Sequence, residues 1–226
     1  MDQDRDNGAR PHWHRPHEGE HRWPVSVVVL LVIGLQFSLP HSLALAIQVP
    51  ICILESAFLL ALIVINPRRI NRHLPSTRLM GIFLIVLMTL SNTASALKLI
   101  DAIITRGVRD AGSLLLSGGS IWLTNVVVFG LWYWELDRGG PGKRAEASQP
   151  YPDFIFPQMS DPLYAPKTWH PTFFDYLYTS FTNASAFSPT DVMPLSRWAK
   201  ALMLLQSMTA LLVVGLVIAR AVNILH

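Results

Sequence analysis

The stretch Phe173–Leu225 reads FFDYLYTSFTNASAFSPTDVMPLSRWAKALMLLQSMTALLVVGLVIARAVNIL. Its first part, Phe173 to Phe187, is aromatic but too short to cross a bilayer, and the polar turn Ser188-Pro189-Thr190-Asp191 stops it. After Met193-Pro194, an apolar run from about Ala201 to Leu225 is long enough to cross. A half-helix, a turn and a full helix predict a re-entrant loop. Non-helical backbone at membrane depth persists only where it is buried in protein or lines a watery cavity. The segment therefore predicts either a water-lined hairpin or one that only packs the bundle.

The rest of the chain fits a membrane setting. Of its 226 residues, 51% are hydrophobic and 15% charged, and the apolar residues lie in long runs, as transmembrane helices require. A net charge of +3 does not point to nucleic acid, because no basic patch carries interleaved aromatics. Cys52, the single cysteine, lies inside an apolar run with no metal-ligand spacing around it. The expected fold is an all-α integral membrane protein with five spanning helices and one re-entrant half-helix.

The five spans are expected at Pro24–Leu39, Leu43–Ile65 with a kink at Pro50, Leu79–Ile104, Ile121–Leu136 and Ala201–Leu225. Trp23 serves as an interfacial anchor, and Trp132-Tyr133-Trp134 forms an aromatic belt. A turn is predicted at Pro40-His41-Ser42 and a Gly- and Ser-containing loop from Arg106 to Ser120. The domain reading is a polar tail over 1–22, a four-helix region over 23–137, an interfacial linker over 138–170 and the pore-like module over 171–226. The tail holds His12, His14, His17 and His21; a solvated, poorly ordered segment explains it better than a metal site. Within the linker, Gly139 to Pro150 reads as flexible, and Tyr151 to Pro157 as an ordered cap at the membrane interface.

Lysine and arginine set the orientation. One side gathers Arg5, Arg10, Arg15, Arg22, Arg68, Arg69, Arg72, Arg78, Arg138, Lys143, Arg144, Lys167, Arg197 and Lys200. The other has Lys98, Arg106, Arg109 and Arg220. This places the N-terminus in the cytoplasm and the C-terminus outside.

Few residues carry chemistry. Glu55 falls near the middle of the second span, where an ionisable group is costly and marks a functional hypothesis. Its expected partners lie on the third span: Thr89, Ser91, Asn92, Thr93 and Ser95. It reads either as a proton-coupled carboxylate or as a protonated interhelical hydrogen-bonding group. Lys98 and Asp101 are spaced for a local pair. Asn183-Ala184-Ser185 matches a glycosylation pattern at a depth the modifying enzyme does not reach. No nucleophile elbow, phosphate loop or helical His pair occurs, and His73 and His170 stand alone in sequence, so neither an enzyme, a metal nor a cofactor is expected.

The run from Tyr176 to Lys200 resembles the pore helix, filter and exit of tetrameric potassium-type channels. In that family an aspartate closes the filter, a proline follows three residues later, and a small-residue and basic pair opens the inner helix. Asp191, Pro194 and Ala199-Lys200 sit at matching spacings, and Ile218 to Val222 is similar to the end of many bacterial inner helices. Asp175 to Thr182 also resembles a family of small bacterial integral membrane proteins of unassigned function. The filter itself departs from the channel pattern. Ala186, Phe187, Ser188, Pro189 and Thr190 include no glycine, whereas carbonyl-lined potassium filters depend on glycines.

One re-entrant hairpin and one inner helix cannot enclose a pore alone, so a homo-oligomer in the bacterial inner membrane is expected, and the resemblance favours a tetramer. Its ion pathway would run past Asn183, Ser185, Ala186, Phe187, Ser188, Pro189, Thr190 and Asp191. Hydroxyls and an acidic ring suit small cations in general, so the expected function is a pore for small cations without potassium-type selectivity. The alternatives are a proton-coupled transporter centred on Glu55 and a non-conducting accessory subunit. Gly215 and Ala219, four apart on the last span, permit close helix approach.

Overall fold

A computed structural model describes residues 11–40, 46–70, 75–106, 110–161, 163–185 and 191–225. Arg5, Arg10, His41, Ser42, Arg72, His73, Arg109 and the stretch 186–190, on which expectations above rest, lie outside the described residues.

The chain is all-helical. Helices α1 Trp23–Phe37, α2 Gln48–Ile65, α3 Pro75–Asp101 and α4 Ala111–Leu136 come first, and α3 runs on into a π-helical turn at Ala102–Arg106. Two short helices follow, α5 Pro141–Ala145 and α6 Pro157–Ser160, then α7 Phe173–Ser185 and α8 Arg197–Leu225. Two antiparallel two-residue ladders tie distant segments: β1 Glu20–His21 with β2 Arg69–Ile70, and β3 Phe154–Ile155 with β4 Met193–Pro194. Helices α2, α3, α4 and α8 are long and apolar enough to cross a membrane. The remaining expected span, Pro24–Leu39, coincides with α1, whose 15 residues give roughly 22 Å at 1.5 Å per residue, less than the roughly 30 Å of a hydrocarbon core.

Helix α4 is the centre. Of its apolar segment 72% is buried, against 28% for α2 and α8, because α1, α3, α7 and α8 all pack on it. Two glycines let neighbours approach. A Cβ at Gly118 would sit 2.7 Å from a Val217 methyl on α8, and one at Gly130 would sit 3.2 Å from the Leu177 Cα on α7. The core between these helices holds Val32, Met88, Leu131, Tyr133, Phe154 and Tyr176.

Contacts along α4 fix the path of the last two helices. At the start of α7, Phe173 packs edge-on to Trp134, and at its end Ala184 lies beside Val126 and Ala210. Trp198 at the start of α8 packs on Phe154, while Val217 meets Gly118. Both helices therefore begin at one end of the bundle, the cap end, and run the same way. The chain leaves α7 at Ser185, about midway along α4. By Met193–Pro194 it is back at the cap end, paired with Phe154–Ile155.

Four local expectations are corrected. Helix α4 starts at Ala111, not Ile121, because Asp110 caps it: its carboxylate accepts from the N–H groups of Gly112 and Ser113 at 3.3 and 2.9 Å. Pro50 does not kink α2; it stands in the first turn, where a missing N–H costs nothing. The segment Gly139 to Pro150 is not a loose tether, since α5 seats there with Arg144 buried. From residue 11 onward the N-terminal segment is packed, with Glu20 and Arg22 buried.

The Gly118 contact yields a paired test. Gly118→Leu drives a side chain into Val217 and lowers the thermal midpoint in detergent, since overpacking costs roughly 1–3 kcal/mol. Gly119→Leu leaves it nearly unchanged, because no atom lies within 4 Å of a Cβ there.

Candidate functional site

The cap end is built from buried charge. Arg144 donates to the carbonyls of Trp134 and Asp137 at 2.6 and 2.9 Å and to Glu20 Oε1 at 3.1 Å, and lies over the Tyr176 ring. Burial works against its charge, but Tyr176, Glu20 and Asp137 together hold its pKa above the ordinary arginine value. The Asp137 carboxylate accepts from the Tyr176 hydroxyl and, at 2.8 Å, from the Asp153 N–H. Asp153 in turn accepts from the Trp198 indole and the Arg138 N–H, both at 2.9 Å. This chain of bonds links the end of α4 to the starts of α7 and α8.

The expected histidine tail takes part. His17 stacks on His170 at 3.8 Å, so His170 is not isolated, and His17 Nδ1 accepts from the Gly19 N–H. Burial, then His170 and the nearby Arg144 and Arg138, lowers the His17 pKa to about 3, which keeps the ring neutral at neutral pH. Among the described residues no group of three or more His, Cys, Asp or Glu is placed to hold a metal ion.

The start of α7 is capped twice. Glu20 Oε2 accepts from the Phe173 N–H at 2.9 Å while also accepting from the Trp134 indole. Asp175 accepts from the N–H and hydroxyl of Thr172, the back-reaching half of a capping box. Two carboxylates at a helix N-terminus also suit its positive dipole end.

Deeper in, one glutamine clamps the hairpin. Gln206 on α8 is fully buried. Its amide nitrogen donates to the Ser180 carbonyl and hydroxyl at 3.0 and 2.6 Å; its oxygen accepts from the Tyr133 hydroxyl at 2.6 Å and from Asn183 at 2.8 Å. That is the full capacity of a primary amide. Asn183 also donates to the Met203 carbonyl and accepts from Ser207, and Ser180 donates to the Val126 carbonyl. Three helices are thereby joined where α7 stops.

The expected pathway residues divide. The Asn183 amide is engaged between α7 and α8, and the Ser185 hydroxyl returns to the Phe181 carbonyl. Asp191 is exposed, and its carboxylate takes no hydrogen bond or ion pair among the described residues. Positions 186–190 lie outside them. The structure also brings in Gln206, Tyr133 and Ser180, none expected from sequence. A lone glutamine inside an apolar run was the available signal.

A second polar cluster surrounds Glu55, which is fully buried. Its partner is Gln36 on α1, donating to Oε1 at 3.2 Å, rather than a residue of α3. Gln36 then accepts from Gln48 at 2.8 Å and Ser91 at 3.2 Å, with Cys52 nearby. Of the partners expected on α3, Ser91 joins through Gln36. Thr89 bonds Trp132, Thr93 turns back to its own helix, and Asn92 is buried on α3. Glu55 Oε2, Ser95 Oγ and both amide atoms of Asn125 are buried without a hydrogen-bond partner among the described residues. Lys98 and Asp101 stand at the far end of α3, where Thr105 bonds the Asp101 carbonyl.

Compared with known proteins, the chain matches no family model, no curated protein and no solved structure.

The clamp is directly testable. Gln206→Met keeps the volume but leaves the buried Tyr133 hydroxyl without its acceptor, at roughly 1–3 kcal/mol for a group left unsatisfied. It also removes bonds to Ser180 and Asn183, which keep their other partners. Chemical unfolding in detergent should show a clear loss of midpoint. Met208→Leu, on the exposed face of the same helix, is the control and leaves the midpoint in place.

Proposed function

We propose that copies of this chain assemble around their α7–α8 hairpins to form a pathway for small cations. The carrying observation is a 13-residue helix that stops midway along the bundle, followed by a return to the end where it began. A helix C-terminus carries partial negative charge on its last carbonyls, and half-helix ends of this kind coordinate cations in membrane proteins. The carboxylate of Asp191, unpartnered among the described residues, follows the hairpin. Repeated around an axis, it would concentrate cations at a narrow, low-dielectric mouth.

One hairpin cannot enclose a pore, so the reading needs an oligomer, and the channel resemblance favours four copies. Helix α8 offers a face for it. Gly215 and Ala219 are exposed, with open space beyond Gly215 and Leu211, Leu212 and Met208 beside them. Such small-residue faces support close helix packing in lipid. With no glycine at 186–190, selectivity would rest on hydroxyls and carboxylates rather than potassium-type carbonyl rings. Helix α1 is read as the fifth crossing, with local bilayer thinning accommodating its length. On this reading the cap end, with its basic residues, and the N-terminus face the cytoplasm of a bacterial inner membrane, as the positive-inside rule favours.

A second reading has one observation in its favour. Glu55 Oε2 is buried and unpartnered among the described residues, which suits a carboxyl that gains and loses a proton during transport.

Liposome flux over several monovalent and divalent ions separates the two. On the pore reading, Asp191→Asn lowers cation conductance most at low ionic strength, where screening is weakest, and Asp191→Lys shifts preference toward anions. Glu55→Gln then leaves flux intact. If instead Glu55→Gln abolishes a pH dependence that Asp191 variants leave untouched, the transporter reading replaces the pore. An assembled protein that passes no ion removes both.

A further inference from the structure

At the cap end, a cavity of about 70 Å³ opens between α1, α2, α3, the end of α4 and the turn at 139–143. Its polar side carries Arg22, Arg78, Lys143 and Glu135. Its walls are aliphatic, formed by Val29, Leu59, Leu62, Leu84 and Ile85.

Arg22 is the anomaly. Only 7% of it is exposed, yet its guanidinium makes no hydrogen bond among the described residues; its Nε is buried without a hydrogen-bond partner, as are those of Arg78, Arg138 and Arg144. Arg144, buried nearby, shows the usual solution, with two carbonyls and Glu20 as acceptors. A buried cation without acceptors is costly. The acid on the cavity wall, Glu135, lies 3.4 Å from Arg78 Nε and is also the opposite charge that acts on Arg22, so three cationic side chains share one carboxylate. The cavity has an unmet demand for an anion.

Size and walls narrow the class of ligand. At about 70 Å³ the cavity falls below the roughly 300 Å³ where drug-sized ligand pockets begin. It suits a compact oxyanion, not a nucleotide. Planar guanidinium forks match phosphate oxygens. The cavity is bordered by helices long enough to cross a membrane and by apolar α1, at their cap end, the level at which lipid headgroup phosphates lie.

We infer that the cavity binds the phosphate of an anionic phospholipid headgroup on Arg22 and Arg78, with the acyl chains outside the cavity. Lys143 closes the rim over the headgroup. The inference stands apart from the pore proposal, because the cavity lies between α1, α2, α3 and α4, away from the α7–α8 hairpin.

The test uses the full chain in neutral detergent and follows the thermal midpoint during titration with phosphatidylglycerol, phosphatidylcholine or inorganic phosphate. Phosphatidylglycerol raises the midpoint, and the other two do not. Arg22→Gln moves the phosphatidylglycerol titration to roughly tenfold higher concentration or beyond, the size of one lost hydrogen bond to a charged group. Lys143→Gln, at a half-exposed rim position, moves it in the same direction and serves if Arg22→Gln does not fold. Equal stabilisation by the two lipids, or variants that respond as wild type, would overturn the site. A full response to inorganic phosphate alone would overturn its assignment to a lipid.

Discussion

A helix that stops inside an apolar bundle leaves backbone groups at both ends without intrahelical partners, and the structure is arranged around meeting that demand for α7. At the N-terminus, Glu20 and Asp175 supply carboxylate acceptors. Along its length, Ser180 ties it to the Val126 carbonyl of α4. Near its C-terminal end, Asn183 and Gln206 fasten it to α8. Without these acceptors and donors, a 13-residue helix at that depth would have no reason to stay in place.

The cap end follows from the same demand. Glu20 can serve the start of α7 only if the N-terminal segment is docked, and β1–β2 pairing and the bond to Arg144 dock it. Arg144 in turn holds the carbonyls that end α4. Asp137 and Asp153 carry the linkage on to Tyr176 and Trp198, where α7 and α8 begin. Removing one member of such a buried network leaves an uncompensated charge, which is costlier than the network's net worth. The hairpin, the basic cavity and the N-terminal segment are therefore parts of one scaffold.

Much of the fold was legible in the sequence because long apolar runs announce helices. The half-length of α7 also showed in Phe173 to Phe187, where the aromatic run is cut short by Ser188 and Pro189. The start of α4 was missed because Gly118 and Gly119 look like a loop, when Gly118 in fact makes room for Val217. The cap was missed for a different reason. Glu20 and Arg144 lie 124 residues apart, and no local pattern announces a pairing of that range. Gln36 and Gln206 were findable, since each is an amide alone in an apolar run. What they bond depends on helix register, which periodicity does not supply.

The central claim is that α7 enters and returns at one end of the bundle rather than crossing it. Labelling with a membrane-impermeant thiol reagent, in a background with Cys52 replaced by serine, tests this directly. Single cysteines at Asp191→Cys, Lys143→Cys and Asn223→Cys would be probed in oriented vesicles. The account predicts that positions 191 and 143 react from the same side and position 223 from the opposite one. Reaction of position 191 together with 223, and not with 143, would make α7 a crossing segment and contradict it.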